Sequence, residues 1–432
     1  MPDDPQTAAD PPSWGGPGTT MPLWTPYQLN AIINDLPNPG QGTQWQRSQW
    51  LYIAGNAKNS SVSIFRRVNA FNVMFTYEAR VVKVEYQPIE TTDPILTDEE
   101  GRLHQELYRA CPEFVARIRA HNFTTSATDN LRWKRMYFDW APHLDLLKTI
   151  GWYWSIPSER VQSVIPEPFL WYCFLAMARV ALVSKNGQVS DTRAPDWNPI
   201  VNWDLKPGNV LLDHPDPYAE FPFMCQYPTP KVTDFGMAAW TQAGQQTAAL
   251  KNPQDMRGYG TQDHQPPELI RRDIPFLTLM SFPNPAATRA RVNQLIPYRR
   301  PPAPVGTADN SPHAGIDSWT TVWQVGLTMQ MLMSLELDTI ARGVDFSAAD
   351  GGRDAPSRAW LRPRYSGRLV ELVYQCLLAH PADRIAVEAL HDEVMDACAH
   401  VQEVFDAAPP WAPGLQDLAA PVDKYPVSAN RL

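Results

Sequence analysis

The hydrophobic pattern predicts a run of β-strands between residues 50 and 86 and a helix after them. Four segments are rich in the aromatic and β-branched side chains typical of strands: WLYIAG, VSIFRRV, FNVMFTYEA and RVVKVEY. A helix is predicted within Asp98 to Arg109, where Leu103 and Leu107 are four residues apart and the first turn is acidic. The first third of the chain therefore combines strands with an amphipathic helix.

The longest apolar run, Phe169 to Val183, predicts a buried helix. It is interrupted by Arg179 and is too short to cross a bilayer, so no membrane-spanning segment is predicted. Further along, the short runs Val210 to Leu212 and Lys231 to Thr233 have the composition of strands.

Prolines separate folded parts of the chain from surface parts. The chain has 43 prolines against 22 glycines, concentrated in segments 2–17, 215–230, 283–312 and 409–426. Because proline disrupts helices and central strands, these segments are predicted to be tails and surface insertions. We expect a largely disordered tail over 1–43, with room for a short helix in Tyr27 to Leu36, and a second tail over 407–432. The folded region then covers 44–406.

Charge and cysteine content argue against several classes of protein. A net charge of −9 leaves no basic face, so nucleic acid is not expected as a partner. The five cysteines are far apart and lack CxxC spacing, which argues against a disulfide framework or a zinc site and favours a reducing compartment. The segment MPDDPQTAAD is acidic where a secretory signal would be basic and then apolar. We expect a cytoplasmic or nuclear protein that contacts no membrane, and the sequence does not indicate an oligomeric state.

The candidate chemistry is concentrated between Val201 and Gly236. This stretch reads VNWDLKPGNVLLD and, after an insert, KVTDFG. It places Asp204 and Asp234 on loops beside the two strand-like runs, with Lys206 and Asn209 between them. Phosphoryl transfer needs a group that orients the attacking hydroxyl and hard oxygen ligands that hold Mg²⁺ across the phosphates. The four side chains are of the types that this chemistry requires.

These motifs resemble those of the eukaryotic-type protein kinase family. NWDLKPGN resembles the catalytic-loop motif H-R-D-L-K-x-x-N, and Asp234 begins a D-F-G motif. GTQDHQPPE resembles G-T-x-x-Y-x-A-P-E, SWTTVWQVG resembles the central-helix motif D-x-W-x-x-G, and HPADRI supplies a distal arginine, Arg384. The segments IPEPFLWY and YPTPK narrow the resemblance to divergent kinases of fungal type. The resemblance covers most of the chain.

The resemblance implies an α+β, bilobal protein-kinase fold that phosphorylates serine or threonine of protein substrates with ATP and Mg²⁺. A small, mainly antiparallel β N-lobe would cover 44–139, and a large, mainly helical C-lobe would cover 140–406. In the family's roles, Asp204 orients and deprotonates the hydroxyl, and Lys206 meets the transferring phosphate. Asn209 and Asp234 would hold the metal.

The resemblance also assigns the residues that would bind ATP. The segment Gly55 to Val62 has the spacing of the glycine-rich loop, with Ala57 and Ser60 in place of the second and third glycines. After Phe138 at the gatekeeper position, Asp139 to Ala141 would form the hinge that offers backbone groups to adenine, and Asp145 would reach the ribose.

Lys83 in RVVKVEY would align the α- and β-phosphates, held by a glutamate of the following helix. At the family's spacing that position is Arg102, so Glu106 one turn later, or Glu99 one turn earlier, is the candidate partner.

The departures from the family pattern concern the support of the catalytic loop. The family's His and Arg before the catalytic Asp, and its central-helix Asp, are here Asn202, Trp203 and Thr321. We therefore expect a rebuilt support in which Trp203 holds the loop by apolar packing. The resemblance itself implies a structural ion pair between Glu268 and Arg384. The alternative function is a pseudokinase, a nucleotide-binding or scaffold protein with little turnover. A small-molecule phosphotransferase is a third class, which the GTQDHQPPE segment disfavours.

Overall fold

The computed structural model is an α+β protein that divides into two compact units. Described residues up to 102, together with 117–140, form unit 1, and those at 103–116 and from 141 onward form unit 2. The predicted lobe boundary after residue 139 thus lies one residue from a boundary between the units, although 103–116 group with unit 2. The structure describes residues 26–38, 43–55, 59–69, 74–89, 97–126, 130–155, 164–241, 260–261, 264–266, 269, 316–335, 361, 364–378 and 381–407.

Unit 1 contains a five-stranded antiparallel sheet. Its strands are β1 (Thr43–Gly55), β2 (Asn59–Asn69), β3 (Met74–Pro88), β4 (Ile118–Ser126) and β5 (Leu131–Asp139). They are ordered β1-β2-β3-β5-β4 across the sheet. The segments FNVMFTYEA and RVVKVEY, predicted as two strands, join in the single strand β3, which has 15 residues.

The two faces of this sheet differ in character because side chains alternate along each strand. On one face, Val82 and Val84 belong to an apolar cluster. On the other, Lys83 pairs across the strands with Val62 of β2 and Met136 of β5. Lys83 therefore lies on the face opposite the apolar cluster, whereas Arg80 of the same strand lies on the face of the cluster, over the Trp45 ring.

Helix α1 (Pro26–Asp35) packs against the apolar cluster of the sheet. Ile32 is fully buried there. Asp35 accepts hydrogen bonds from the Tyr137 hydroxyl (2.5 Å) and from Arg135 Nε (2.7 Å). The tail predicted over 1–43 thus includes an ordered helix that belongs to unit 1, while 1–25 and 39–42 lie outside the described residues.

Helix α2 (Glu99–Ala110) agrees closely with the predicted helix, and the division between the units falls within it. Its N-terminus is fixed against β4. His121 Nδ1 lies 2.8 Å from Asp98 Oδ1, and a Cβ on Gly101 would lie only 2.7 Å from His121 Cγ. Only glycine permits α2 to approach β4 this closely. The contact therefore fixes the position of the neighbouring Glu100 relative to the sheet.

Unit 2 is mainly helical and is organised around a buried helix. Its helices are α3 (Leu146–Ser155), α4 (Glu167–Asn186), α5 (Ser318–Ser334), α6 (Gly367–Cys376) and α7 (Val387–Ala407). The prediction of a buried helix over the longest apolar run is confirmed by α4. Among the described residues, α4 alone is long and apolar enough to cross a membrane, and 94% of its apolar window is buried inside the protein.

The close packing of α5 on α6 depends on Gly326. A Cβ at this position would lie 2.5 Å from Cys376 Cβ and 3.2 Å from the Val373 carbonyl oxygen. The cysteine is fully buried, so it has little room to move. Gly326 therefore fixes how closely α5 approaches its neighbour.

We predict that Gly326→Ala lowers the free energy of unfolding by about 1–3 kcal/mol, because the added methyl group overpacks this contact. The measurement is urea denaturation of the full chain. Gly367→Ala is the matched control, since nothing lies within 4 Å of its added Cβ. Equal midpoints for the two variants would contradict the close approach of α5 and α6.

Candidate functional site

Two short strand pairs in unit 2 bring the candidate residues together. The strands are β6 (Ile200–Asn202), β7 (Val210–Asp213), β8 (Thr229–Val232) and β9 (Ala238–Trp240). β7 pairs with β8 and β6 pairs with β9, both antiparallel. The predicted strand at Val210 to Leu212 is confirmed, and the run at Lys231 to Thr233 forms the end of β8 and the residue after it.

The pairing holds two loops side by side, which we call the first loop (203–209) and the second loop (233–237). The first connects β6 to β7 and the second connects β8 to β9, so the same strand pairs hold both loops at both ends. Thr233 N donates to the Asn209 carbonyl (2.9 Å), and Trp203 N donates to the Met237 carbonyl (3.3 Å). The loops that carry Asp204, Asn209 and Asp234 are thereby adjacent.

The Asp204 carboxylate is almost fully buried, with 7% of the residue exposed, and donors surround it. Its Oδ1 accepts from the backbone N (2.8 Å) and from the hydroxyl (2.6 Å) of Thr261. Its Oδ2 lies 2.8 Å from Lys206 Nζ, which also donates to the Thr261 hydroxyl (2.6 Å). A cation and a hydroxyl are thus held against one carboxylate.

Asn209 and Asp234 lie on the two adjacent loops, and each carries a side-chain oxygen atom. Asn209 Nδ2 donates to the Asp204 carbonyl (2.8 Å), so its amide oxygen is the atom that can bind a cation. Asp234 has a left-handed backbone, with φ 59° and ψ 69°. That conformation is uncommon outside glycine and, where the surrounding structure enforces it, is a mark of functional sites.

Phe235 fixes the second loop beneath Asp234. Its ring is fully buried and lies edge-on to the ring of His104 on α2, with centroids 4.9 Å apart. The His104 ring is fixed in turn, since its Nε2 lies 2.7 Å from the Ala116 carbonyl oxygen. An aromatic contact therefore links the second loop to α2.

Neutral groups support the first loop. Asn202 Oδ1 accepts from Asp204 N (3.0 Å), and the Thr321 hydroxyl of α5 donates to the Asn202 carbonyl (3.0 Å). Trp203 is 4% exposed and lies in an apolar cluster with Val201, Leu269 and Ile316. The predicted apolar packing of Trp203 is confirmed.

In unit 1, Lys83 belongs to a closed ring of four charges. Its Nζ lies 2.7 Å from Glu100 Oε1 and 3.4 Å from Glu85 Oε1. Lys134 of β5 closes the ring, 2.6 Å from Glu100 Oε2 and 2.7 Å from Glu85 Oε2. Each carboxylate therefore bridges both lysines.

The identity of the helix glutamate corrects the sequence analysis, which favoured Glu106 with Glu99 as the alternative. The structure places Glu100 against Lys83. Glu106 is six residues further along α2, about 240° around the helix at about 100° per residue, so it faces another direction. The contact between Gly101 and β4 determines which side of α2 faces the sheet. Counting residues along the sequence does not reveal this contact.

The ring also determines the ionisation of its members. Burial alone would raise the pKa of Glu100, but the charges of Lys134 and Lys83 outweigh burial and hold that pKa well below its ordinary value. For Lys134, burial lowers the pKa, while Glu100 and Glu85 raise it more, so the pKa lies above its ordinary value. Glu100 and Lys134 therefore both keep their charges in this ring.

The residues predicted for hinge and ribose contacts have structural partners. The Asp139 carboxylate at the end of β5 receives two hydrogen bonds from Arg119, at 2.8 and 2.7 Å. Ala141 is buried at the start of the unit 2 segment. Asp145 Oδ1 accepts from Lys148 N (2.8 Å) and so caps α3, and burial raises its pKa.

Some of the remaining predicted positions lie outside the described residues or border on them. Gly55 ends β1 opposite Asn59, and 56–58, including Ala57, lie outside the described residues. Glu268 also lies outside them. Its expected partner Arg384 is buried, with Nε donating to the Leu378 carbonyl (2.7 Å) and its guanidinium over the Trp323 ring.

Sequence reasoning missed Glu100, Lys134 and Thr261. It also missed Gln324 of α5, whose side chain forms hydrogen bonds with the backbone of the first loop. A glutamine inside an apolar helix is a usable signal, because a buried amide needs partners. Lysine on a strand and threonine in a loop carry no such signal. Their roles depend on contacts between residues far apart in the chain.

Among the described residues, no group of three or more His, Cys, Asp or Glu side chains could hold a metal ion. Mg²⁺ does not require such a group, since it is bound through one or two carboxylates together with substrate phosphates and water. The chain matches no protein-family model, and no curated protein matches it.

We predict that Lys134→Met lowers the free energy of unfolding by about 3–5 kcal/mol, because it removes a cation that two buried carboxylates share. Glu100 has a depressed pKa in the folded protein, so its contribution is present above the ordinary carboxyl pKa and is lost as the pH falls below it. The difference between wild type and variant should therefore shrink in acid. The measurement is chemical denaturation at a series of pH values.

Lys185→Met is the control for this prediction. Lys185 pairs with Glu388 at the surface (2.6 Å), where it is 34% exposed, and such pairs contribute up to about 1 kcal/mol. A Lys134 variant that is no less stable than the Lys185 variant would show that the ring does not stabilise unit 1.

Proposed function

We propose that this protein transfers the γ-phosphate of ATP to serine or threonine hydroxyls of protein substrates, using Mg²⁺ and a two-lobed fold of the protein-kinase type. The observation that carries the proposal is the joint placement of the first and second loops. Their strand pairs gather Asp204, Lys206, Asn209 and Asp234, which are the side chains that the chemistry needs.

The contacts of Asp204 support a role with an aliphatic hydroxyl. The Thr261 hydroxyl donates to Asp204 Oδ1 and accepts from Lys206 Nζ. An attacking hydroxyl needs the same two partners, a carboxylate to receive its proton and a cation near the phosphate that it approaches. The pair is thus suited to serine and threonine side chains.

The residues present fit a nucleotide-bound Mg²⁺ ion. The Asn209 amide oxygen and the Asp234 carboxylate are hard ligands on adjacent loops, and the ion would complete its shell with phosphate oxygens and water. When bound, Mg²⁺ neutralises charge on the phosphates. In unit 1, Glu100 holds Lys83 at 2.7 Å, and the resemblance assigns Lys83 to the α- and β-phosphates.

We predict that the wild-type protein transfers labelled γ-phosphate from Mg-ATP to itself or to a generic protein substrate. Asp204→Asn should lower the rate by about 10²-fold or more, because the amide cannot accept the proton. The assay is incorporation of label with time.

Asp191→Asn is the control, since Asp191 is an exposed acid outside both loops and its variant should keep the wild-type rate. Wild-type protein that transfers no label, or an Asp204 variant that keeps its rate, would contradict the proposal. Binding of Mg-ATP without transfer would favour the pseudokinase alternative.

A further inference from the structure

The side chain of Gln324 contacts the backbone on both sides of Asp204. Gln324 is fully buried in the middle of α5. Its Oε1 accepts from Leu205 N (3.0 Å), and its Nε2 donates to the Trp203 carbonyl (2.5 Å) and, at 3.3 Å, to the His264 carbonyl. One amide thus satisfies three backbone groups of the site.

These contacts determine the orientation of Asp204. The Trp203 carbonyl belongs to the peptide unit before Asp204, and Leu205 N belongs to the peptide unit after it. Backbone conformation has two soft dihedral angles per residue, so fixing both flanking peptide planes fixes where the side chain points. Gln324 therefore acts on Asp204 without touching its carboxylate.

Helix α5 is a rigid base for this contact. All its residues from Thr320 to Ser334 are buried, and Gly326 holds the helix close to α6. One turn before Gln324, Thr321 supports the Asn202 carbonyl. Two side chains of one buried helix thus hold consecutive peptide units of the first loop.

We propose that Gln324 is a positioning residue, which orients Asp204 toward the hydroxyl that accepts phosphate. The inference rests on the proposed phosphorylation. The contacts require a side chain that donates at one atom and accepts at another, which glutamine does and a carboxylate or a thioether of similar size does not.

The test compares Gln324→Met with Gln330→Met in the full chain. Gln330 is a second buried glutamine of α5, and its Oε1 has no hydrogen-bond partner within the described part of the chain. Amide hydrogen exchange at Leu205 should become about tenfold faster or more in Gln324→Met and stay unchanged in Gln330→Met. Loss of protection in both variants, or in neither, would overturn the inference.

Kinetics give the second readout. In Gln324→Met, kcat for label transfer should fall by about tenfold or more, with KM for Mg-ATP nearly unchanged, because the metal and phosphate ligands stay in place. An equal loss in KM would indicate general damage and would overturn the positioning role. If the wild type transfers no label, the phosphorylation proposal fails, while the exchange result still decides whether Gln324 holds the loop.

Gln324→Glu keeps the inference testable if the methionine variant does not fold. An ionised glutamate has no donor and would face the carbonyls of Trp203 and His264, whereas a protonated one regains the donor. Burial raises the pKa of such a glutamate, so the rate relative to wild type should rise as the pH falls from about 8 to about 6. A constant ratio over this range would contradict the role of the donor.

Discussion

Burying a carboxylate is costly unless donors and a cation replace its water, and Asp204 imposes this constraint on unit 2. Lys206 supplies the cation, Thr261 supplies two donors, and Asn209 binds the Asp204 carbonyl. Lys206 and Asn209 lie on the first loop, which the strand pairs hold at both ends. The geometry of the site therefore follows from the need to keep one buried acid fully partnered.

The two units hold their candidate functional residues by different kinds of interaction. Unit 1 uses a closed ring of charges, in which Lys134 shares the carboxylates that hold Lys83. Unit 2 supports the first loop with neutral groups, the amides of Asn202 and Gln324 and the indole of Trp203. Protonation of Glu100 in acid weakens the first arrangement, whereas the second contains no group that titrates.

The sequence predicts the residues whose neighbours are local and misses those whose neighbours are distant. Asp204, Asn209 and Asp234 lie on loops next to short runs that the hydrophobic pattern identifies as strands, whereas the strand pairing that brings these loops together is seen only in the structure. Glu100 could not be chosen, because a contact between Gly101 and β4 sets the register of α2. A polar residue in a buried helix is not a sufficient signal either, since Gln330 satisfies it without the contacts of Gln324. The α+β class was expected from the resemblance of the motifs to those of protein kinases, whereas the joining of two predicted strands in β3 was not expected.

We propose that the first and second loops together bind a metal-bound nucleotide. The most direct test is the melting temperature of the full chain at increasing Mg-ATP, with ATP in the presence of a chelator as the comparison. A ligand that binds only the folded state stabilises it by RT ln(1 + [L]/Kd). The account predicts a rise in Tm that depends on Mg²⁺ in the wild type, and its loss in Asp234→Ala. An unchanged Tm for the wild type at millimolar Mg-ATP, or an equal rise in the Asp234 variant, would contradict it.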